Sequence, residues 1–178
     1  MDTMLLRLFQ QQTLEQCKFV LIAANQLQHR ISTKAYDDVF WRELQNFVVS
    51  AANISKLLWG QGGKLAGQRK PLRSSIKVTD SSPLRPTKMR NHFEHFDNRL
   101  DTWWAEAESK GQYFYADKNI EAQDMSAKLE ERPFRGFDPS TGNLTFWGDT
   151  YNLKEIVQEV NRIYPLLVAE AAKSPFEE

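Results

Sequence analysis

The chain has 178 residues, 41% of them hydrophobic and 26% charged, and its 23 basic residues equal its 23 acidic ones. This length and composition are typical of a globular protein with a real core, so we expect a single domain over residues 1–178. No apolar run is long enough to cross a bilayer, no secretion signal is evident, and the lone Cys17 excludes an internal disulfide. These features favour a cytoplasmic protein.

Two amphipathic helices are predicted in the first third of the chain. The first runs from about Thr13, which we expect to cap it, to Arg30, because apolar residues recur there at helical spacing. The second runs from about Lys34 to Trp59 and ends at Gly60, a residue typical of helix ends.

A stretch rich in glycine, serine, proline and cations covers residues 60–86, and it predicts a long loop with a short helical turn near residues 72–76. Its "GQGGK" invites comparison with a phosphate-binding P-loop. However, Leu57 and Leu65 stand where that motif needs a glycine and a hydroxyl, so the comparison fails.

Charge is unevenly distributed along the chain. Residues 56–90 hold nine basic residues and one acid, whereas residues 91–178 hold nine basic and seventeen acidic ones. A local excess of this size attracts a polyanion such as RNA, but it can equally pair with the acidic C-terminal part of the chain. The sequence leaves both alternatives open. The candidate cations for binding an RNA backbone are Lys64, Arg69, Lys70 and Arg73.

A third helix is predicted to start after Pro86 and to run to about Ser109, and a polar, irregular segment follows to Arg132. Residues 134–147 predict a β-hairpin whose turn is "DPSTG", and a last helix is predicted over about 152–172. We therefore expect a mainly α protein, a compact bundle of about four helices with a small β-hairpin insertion near 134–147.

The third helix carries "MRNHFEHFDNRLDTWW" at residues 89–104, and its polar and apolar residues lie on opposite sides. Asn91 and His95 are four residues apart on the polar side, so the amide can hydrogen-bond to the imidazole and orient it. Arg90 lies about 140° from His95 around the helix axis, so the two side chains of one helix do not meet. If a partner subunit supplied a second copy of this helix, Arg90 of one chain could lie close to His95 of the other. The predicted core side consists of Met89, Phe93, Phe96, Leu100, Trp103 and Trp104.

The spacing in "RNHFEH" resembles the motif of the HEPN superfamily (higher eukaryotes and prokaryotes nucleotide-binding). That motif is an arginine, usually followed by a polar residue, with a histidine five to seven positions after the arginine; here these are Arg90, Asn91 and His95. The wider stretches around it resemble uncharacterised bacterial proteins.

The resemblance implies a compact bundle of four to five helices that forms a homodimer. In active members the two motifs face each other and make a composite, metal-independent ribonuclease site. The resemblance therefore implies RNA as substrate, a role as a toxin or phage-defence effector, and a cognate antitoxin protein as partner. The predicted hairpin at 134–147 is a departure, because the minimal family bundle lacks it.

The residue types suit metal-free cleavage of RNA. Such cleavage needs a base for the 2′-hydroxyl proton and an acid for the leaving 5′-oxygen, and an imidazole such as that of His95 can be either. A guanidinium such as that of Arg90 can clamp the charge that builds on the phosphoryl oxygens. Asn91 would hold the imidazole or the substrate hydroxyl. We expect no cofactor and no metal.

Two other functions stay open. In the first, the motif is the solvated side of a helix in a non-catalytic HEPN-like binding or scaffold module. The second is a metal hydrolase, for which "HFEH" is one residue short of the H-x-x-E-H pattern, and His92 and Asp97 point away from the side of His95. Its candidate ligands are His92, Glu94, His95 and Asp97, with His29 as a candidate third imidazole.

Overall fold

The computed structural model describes residues 1–61, 63–109, 119–120 and 134–174, apart from the side chains at 87, 89, 90, 93, 107 and 119. In these residues the chain is mainly helical with a small antiparallel sheet, which confirms the predicted mainly α class. The chain divides into two compact units, one formed by residues 1–87 and 155–178 and the other by residues 88–154. A single domain over 1–178 stays a prediction.

The first unit is built around two long helices, α1 (Thr3–Ser32) and α2 (Asp38–Trp59). They run antiparallel after a short connection, and the amide of Asn53 donates to Gln16 Oε1 at 3.2 Å between them. Their shared core holds the fully buried side chains of Cys17, Val20, Phe40, Phe47, Val48, Ile54 and Leu58.

The predicted start of the first helix at Thr13 is wrong. Asp2 caps α1, since its side chain accepts from the backbone N–H of Leu5 at 3.2 Å. Thr13 lies inside the helix, where its hydroxyl donates to the carbonyl of Phe9 at 2.7 Å. Within the first ten residues of the chain, the buried residues of α1 are the polar Arg7 and Gln10, so hydrophobic periodicity did not reveal this part of the helix.

Helix α2 also begins later than predicted, at Asp38 instead of Lys34. Lys34 has a φ of 54°, in the left-handed region, which is incompatible with a helix interior. Asp37 caps α2 by accepting from the backbone N–H of Phe40 at 3.0 Å, and Gly60 ends the helix as predicted.

Residues 60–86 are less irregular than predicted, because they contain two short helices, α3 (Gly63–Gln68) and α4 (Lys70–Ser75). The predicted helical turn near 72–76 corresponds to the end of α4, whose Leu72 is fully buried. Helix α3 was not predicted, since two of its six residues are glycines, which favour helices poorly.

The second unit contains α5 (Thr87–Glu94) except for its first residue, and α6 (Phe96–Ser109). It also contains a sheet of β1 (Asn119–Ile120), β2 (Arg135–Asp138), β3 (Asn143–Phe146) and β4 (Asp149–Asn152). The predicted hairpin is confirmed as β2 and β3, which pair antiparallel, and β4 continues the antiparallel order. The two-residue β1 pairs parallel with β2. The predicted irregular segment up to Arg132 lies largely outside the described residues.

The third strand of the antiparallel sheet, β4, was not predicted. It follows a two-residue turn in which Trp147 and Gly148 have φ of 53° and 78°. Such turns usually contain asparagine and glycine, and a tryptophan in the left-handed region is rare. As a result, the last helix, α7 (Leu153–Ala171), begins directly after a strand.

Candidate functional site

The two helices that carry the HEPN-like motif are separated at a single residue, His95. Helical hydrogen bonds nevertheless form on both sides of His95. Its N–H donates to the carbonyl of Asn91 at 3.1 Å, and its carbonyl accepts from the N–H of Arg99 at 3.0 Å. The imidazole of His95 is exposed, and the side chain of Asn91, one turn earlier, is half-buried. The exposed position predicted for His95 is therefore confirmed.

The predicted hydrogen bond between the side chains of Asn91 and His95 does not occur within the described part of the chain. Their contact runs through the backbone of the helix instead. The side chain of Arg90 lies outside the described residues, so its predicted role as a phosphate clamp stays a prediction.

The predicted core side of this helix is wrong in part. Leu100 and Trp104 are 37% and 48% exposed, whereas His92, which was not assigned to the core, is only 4% exposed. Phe96 and Trp103 do face the sheet, where both rings pack edge-on against Phe134. The predicted core residues Met89 and Phe93 have side chains outside the described set.

His92 is held by a carboxylate from the sheet. Its Nε2 lies 2.7 Å from Oδ2 of Asp149, the first residue of β4, and Nζ of Lys88 donates to the other oxygen of Asp149 at 3.0 Å. The hydrogen bond with His92 is the main reason why the pKa of Asp149 is lowered, and Lys88 lowers it further. Together these contacts fix α5 to the end of the sheet.

The surroundings of His92 are apolar on its other side. Its ring packs edge-on against Phe146, with centroids 5.5 Å apart, and its Nδ1 is buried with no hydrogen-bond partner among the described residues. One histidine of the motif region is thus a core residue bound to a carboxylate, whereas His95 is available to a ligand. Sequence reasoning missed this pair, because Asp149 is 57 residues after His92 and the Trp147–Gly148 turn before it has a tryptophan in place of the asparagine that usually marks such a turn.

The contacts of His92 also bear on the metal-hydrolase alternative. Of the two imidazole nitrogens that can ligate a metal, Nε2 of His92 is already bound to Asp149. Within the described residues, no three His, Cys, Asp or Glu side chains are grouped closely enough to hold a metal ion.

The four cations proposed for RNA binding fall into two classes. Lys64 on α3 and Lys70 on α4 are exposed and form no ion pair with other described residues. Arg69 instead lies with its guanidinium 3.7 Å from the ring centroid of Phe9, and partial burial lowers its pKa. The two lysines are therefore the accessible charges of this set.

Arg73 has a structural role in the same region. One of its guanidinium nitrogens donates to the carbonyls of Leu58 and Ala66, at 2.6 and 2.9 Å, and the group lies over the ring of Trp59. It thereby satisfies carbonyls near the ends of α2 and α3 that have no partner within their own helices.

The basic segment also has internal and external acidic partners. Within the segment, the guanidinium of Arg85 lies 3.7 Å from a carboxylate oxygen of Asp80. The pKa of Asp80 is lowered mainly by the hydrogen bond that the indole N–H of Trp59 donates to it at 3.1 Å. Lys88 pairs with Asp149 in the acidic C-terminal part, as one of the two alternatives for this segment predicted. Part of the basic excess is thus used within the protein, and Lys64 and Lys70 remain exposed.

Among the described residues, none of the helices combines the length and the apolar character that crossing a bilayer requires. Compared with known proteins, the chain matches no family model, no curated protein and no solved structure.

Proposed function

We propose that the protein is a metal-independent endoribonuclease of the HEPN type, with a compact helical bundle of that family and a composite site formed by two copies of the chain. One observation carries the proposal: His95 is exposed one helical turn after Asn91, while His92 is buried and bound to Asp149. The motif therefore presents its histidine to solvent, where an RNA can reach it.

The chemistry assigns one role to each residue of the motif. His95 takes the proton from the 2′-hydroxyl, which then attacks the adjacent phosphorus, or it protonates the departing 5′-oxygen. Because one imidazole cannot be base and acid in the same step, the second copy of His95 in a dimer supplies the other function. Arg90 would stabilise the charge on the phosphoryl oxygens, and Asn91 would bind the ribose or the imidazole.

We assign a positioning role to the contact between His92 and Asp149, which holds the helix that bears the motif. Catalytic groups need to be held within a fraction of an ångström of their productive positions. His92 lies near the end of α5, three residues before His95, and its contact with β4 limits how the end of α5 can rotate. The sheet, which the minimal family bundle lacks, would thus support the site.

In a cell, an activity of this kind would act as a toxin or a phage-defence effector held in check by a cognate antitoxin protein. Lys64 and Lys70 would bind the backbone of the RNA. An antitoxin would then need only to cover the exposed motif to block cleavage.

The three histidines of the chain provide the experiment that tests the proposal. We expect His95→Ala to abolish cleavage of single-stranded RNA in EDTA without changing the melting temperature, because the side chain is exposed. His92→Ala should lower the melting temperature, because it removes a buried hydrogen bond. His29→Ala, an exposed histidine on α1, should change neither. Cleavage that survives in His95→Ala would refute the proposal.

A mixing experiment tests the composite site. Increasing amounts of His95→Ala protein are exchanged into wild-type dimers at constant total protein. Each heterodimer retains only one His95, so the activity should fall as the square of the wild-type fraction if the site needs the imidazoles of both chains. A fall in direct proportion to the wild-type fraction, after demonstrated subunit exchange, would contradict a shared site. Wild-type protein that leaves RNA intact would instead indicate a non-catalytic binding module.

A further inference from the structure

Helix α1 carries an exposed stripe that the core does not use. Leu5, Leu8, Phe19 and Ile22 are between 43% and 58% exposed, on the side opposite the residues that face α2. Monomeric proteins rarely leave several large apolar side chains in a row on one helix. Two exposed polar residues lie between the apolar ones, so the seam, as we call it, consists of Leu5, Leu8, Gln12, Glu15, Phe19 and Ile22.

The spacing of the seam is regular. Successive members are separated by three, four, three, four and three residues. An average of about 3.5 residues matches one straight line along a helix, and this alternation is the pattern through which two helices pack side by side. From Leu5 to Ile22 the line is about 26 Å long at the usual rise per residue.

The seam is also symmetric about its own centre, between Thr13 and Leu14. Leu5 and Ile22 are equally far from this point, and so are Leu8 and Phe19. If a second α1 is laid antiparallel across a two-fold axis here, each leucine of one helix lies opposite an aromatic or branched apolar residue of the other. An interface between identical chains needs this kind of self-complementarity.

The polar centre fits the same arrangement. Gln12 and Glu15 are equidistant from the centre, so Gln12 of one chain lies opposite Glu15 of the other, twice by symmetry. A glutamine amide donates and a glutamate carboxylate accepts. Polar pairs at such positions fix the register and the direction of helix pairs at some cost in stability.

We propose that the seam is an antiparallel interface between two copies of this chain, with its two-fold axis between Thr13 and Leu14. This inference rests on α1 alone and does not depend on the ribonuclease activity. A membrane surface fits the seam less well, because helices that lie on membranes present cations to the lipid headgroups, whereas the centre of this stripe holds Glu15.

The state of association tests the proposal first. We expect the wild-type protein to dimerise in sedimentation velocity experiments between about 1 and 100 micromolar. Combining Leu8→Glu with Phe19→Glu should weaken the dimer about tenfold or more, because charges would face apolar residues across the axis. Leu65→Glu, at a residue of similar exposure on α3, is the matched control and should have no effect. Circular dichroism should show unchanged helix content in each variant.

Replacing Gln12 by residues of opposite charge tests the polar centre of the seam. Gln12→Lys should tighten the dimer, since the new ammonium lies opposite Glu15 of the second chain. Gln12→Glu should weaken it by placing two carboxylates together. Gln12 is exposed, so neither change disturbs the core. Equal behaviour of the two variants would contradict the predicted register.

Cross-linking tests the antiparallel direction. A chain with Leu8→Cys should form a disulfide with a chain carrying Phe19→Cys, whereas Leu8→Cys alone should not, because its two copies lie about 16 Å apart along the axis. The native Cys17 does not interfere, since it is buried and burial raises its pKa to about 12. Three results would overturn the proposal: a wild-type monomer throughout, a dimer unaffected by the charged pair, or a monomer that binds anionic phosphatidylglycerol vesicles through Leu8.

Discussion

Replacing His92 by alanine should destabilise the unit formed by residues 88–154 more than any change at His95. The substitution removes a ring that is 4% exposed, its 2.7 Å hydrogen bond with Asp149 and its edge-on contact with Phe146. It also leaves a cavity between α5 and the sheet. His95→Ala removes only an exposed side chain and is the matched control.

The expected loss can be estimated from these contacts. Deleting a buried ring typically costs about 3 kcal/mol or more, and a hydrogen bond to a charged group contributes about 1.5 to 3 kcal/mol. Asp149 is 30% exposed, so water replaces part of that bond when the ring is lost. We therefore expect His92→Ala to lower the free energy of unfolding by about 3 to 5 kcal/mol, and His95→Ala by less than about 0.5 kcal/mol.

A double-mutant cycle isolates the contact itself. Asp149→Asn keeps the shape of the side chain and an acceptor oxygen but removes its charge. We expect the double variant to be more stable than the sum of the two single losses predicts, with a coupling of about 1 to 2 kcal/mol between His92 and Asp149. Urea unfolding followed by the ¹⁹F signals of fluorotryptophan suits this purpose, because Trp103 and Trp147 lie in residues 88–154 and Trp41 lies in the other unit.

Acid provides a second readout of the same contact. The pKa of Asp149 is lowered in the folded protein, so its carboxylate contributes stability above the ordinary aspartate pKa of about 4 and loses it as the pH falls through the lowered value. The difference in stability between the wild type and Asp149→Asn should therefore disappear in acid. Additive losses in the cycle, or a loss below about 1 kcal/mol in His92→Ala, would refute the reasoning.

Three further predictions follow from other contacts. Arg73→Lys should lose about 1 to 3 kcal/mol in thermal unfolding, because an ammonium cannot both bind the two carbonyls and stack on Trp59; unchanged melting would contradict this. Hydrogen bonds from Ser140 and Thr141 hold the pKa of Asp138 at about 2. The turn of the hairpin should therefore loosen as the pH falls from about 4 towards 2. Faster amide exchange in the turn should show this loosening in the wild type but not in Asp138→Asn. Combining Lys64→Glu with Lys70→Glu should weaken binding of single-stranded RNA and reduce the salt slope of binding by about 1.4. The same changes at the exposed Lys18 and Lys34 should have a smaller effect, and equal effects would exclude a specific role for α3 and α4.

Local sequence signals correctly predicted the elements that are determined by residues close to them in the chain. The end of α2 at Gly60 and the hairpin around "DPSTG" depend on residues within a few positions, and both are confirmed. The start of α1 depends on a distant partner instead. Arg7 and Gln10 are buried because both donate to Glu170, more than 150 residues later, and no local pattern signals that compensation.

The candidate site shows the same division. The exposure of His95 followed from the periodicity of its own helix. The burial of His92 did not, because it depends on Asp149, 57 residues later on a strand that an unusual Trp147–Gly148 turn precedes. Likewise, charge counting identified the basic segment but could not separate the exposed Lys64 from Arg73, which binds two carbonyls.

The most direct test of the proposed activity is the chemistry of the RNA ends produced by the purified protein in EDTA. We expect fragments that end in a 2′,3′-cyclic phosphate and begin with a 5′-hydroxyl, because the attacking group is the 2′-hydroxyl and no metal-bound water takes part. The same substrate with a 2′-deoxyribose at the cleaved position should stay intact. Fragments with a 3′-hydroxyl and a 5′-phosphate that appear only after a divalent metal is added, or RNA left uncut at every protein concentration, would contradict a metal-independent ribonuclease.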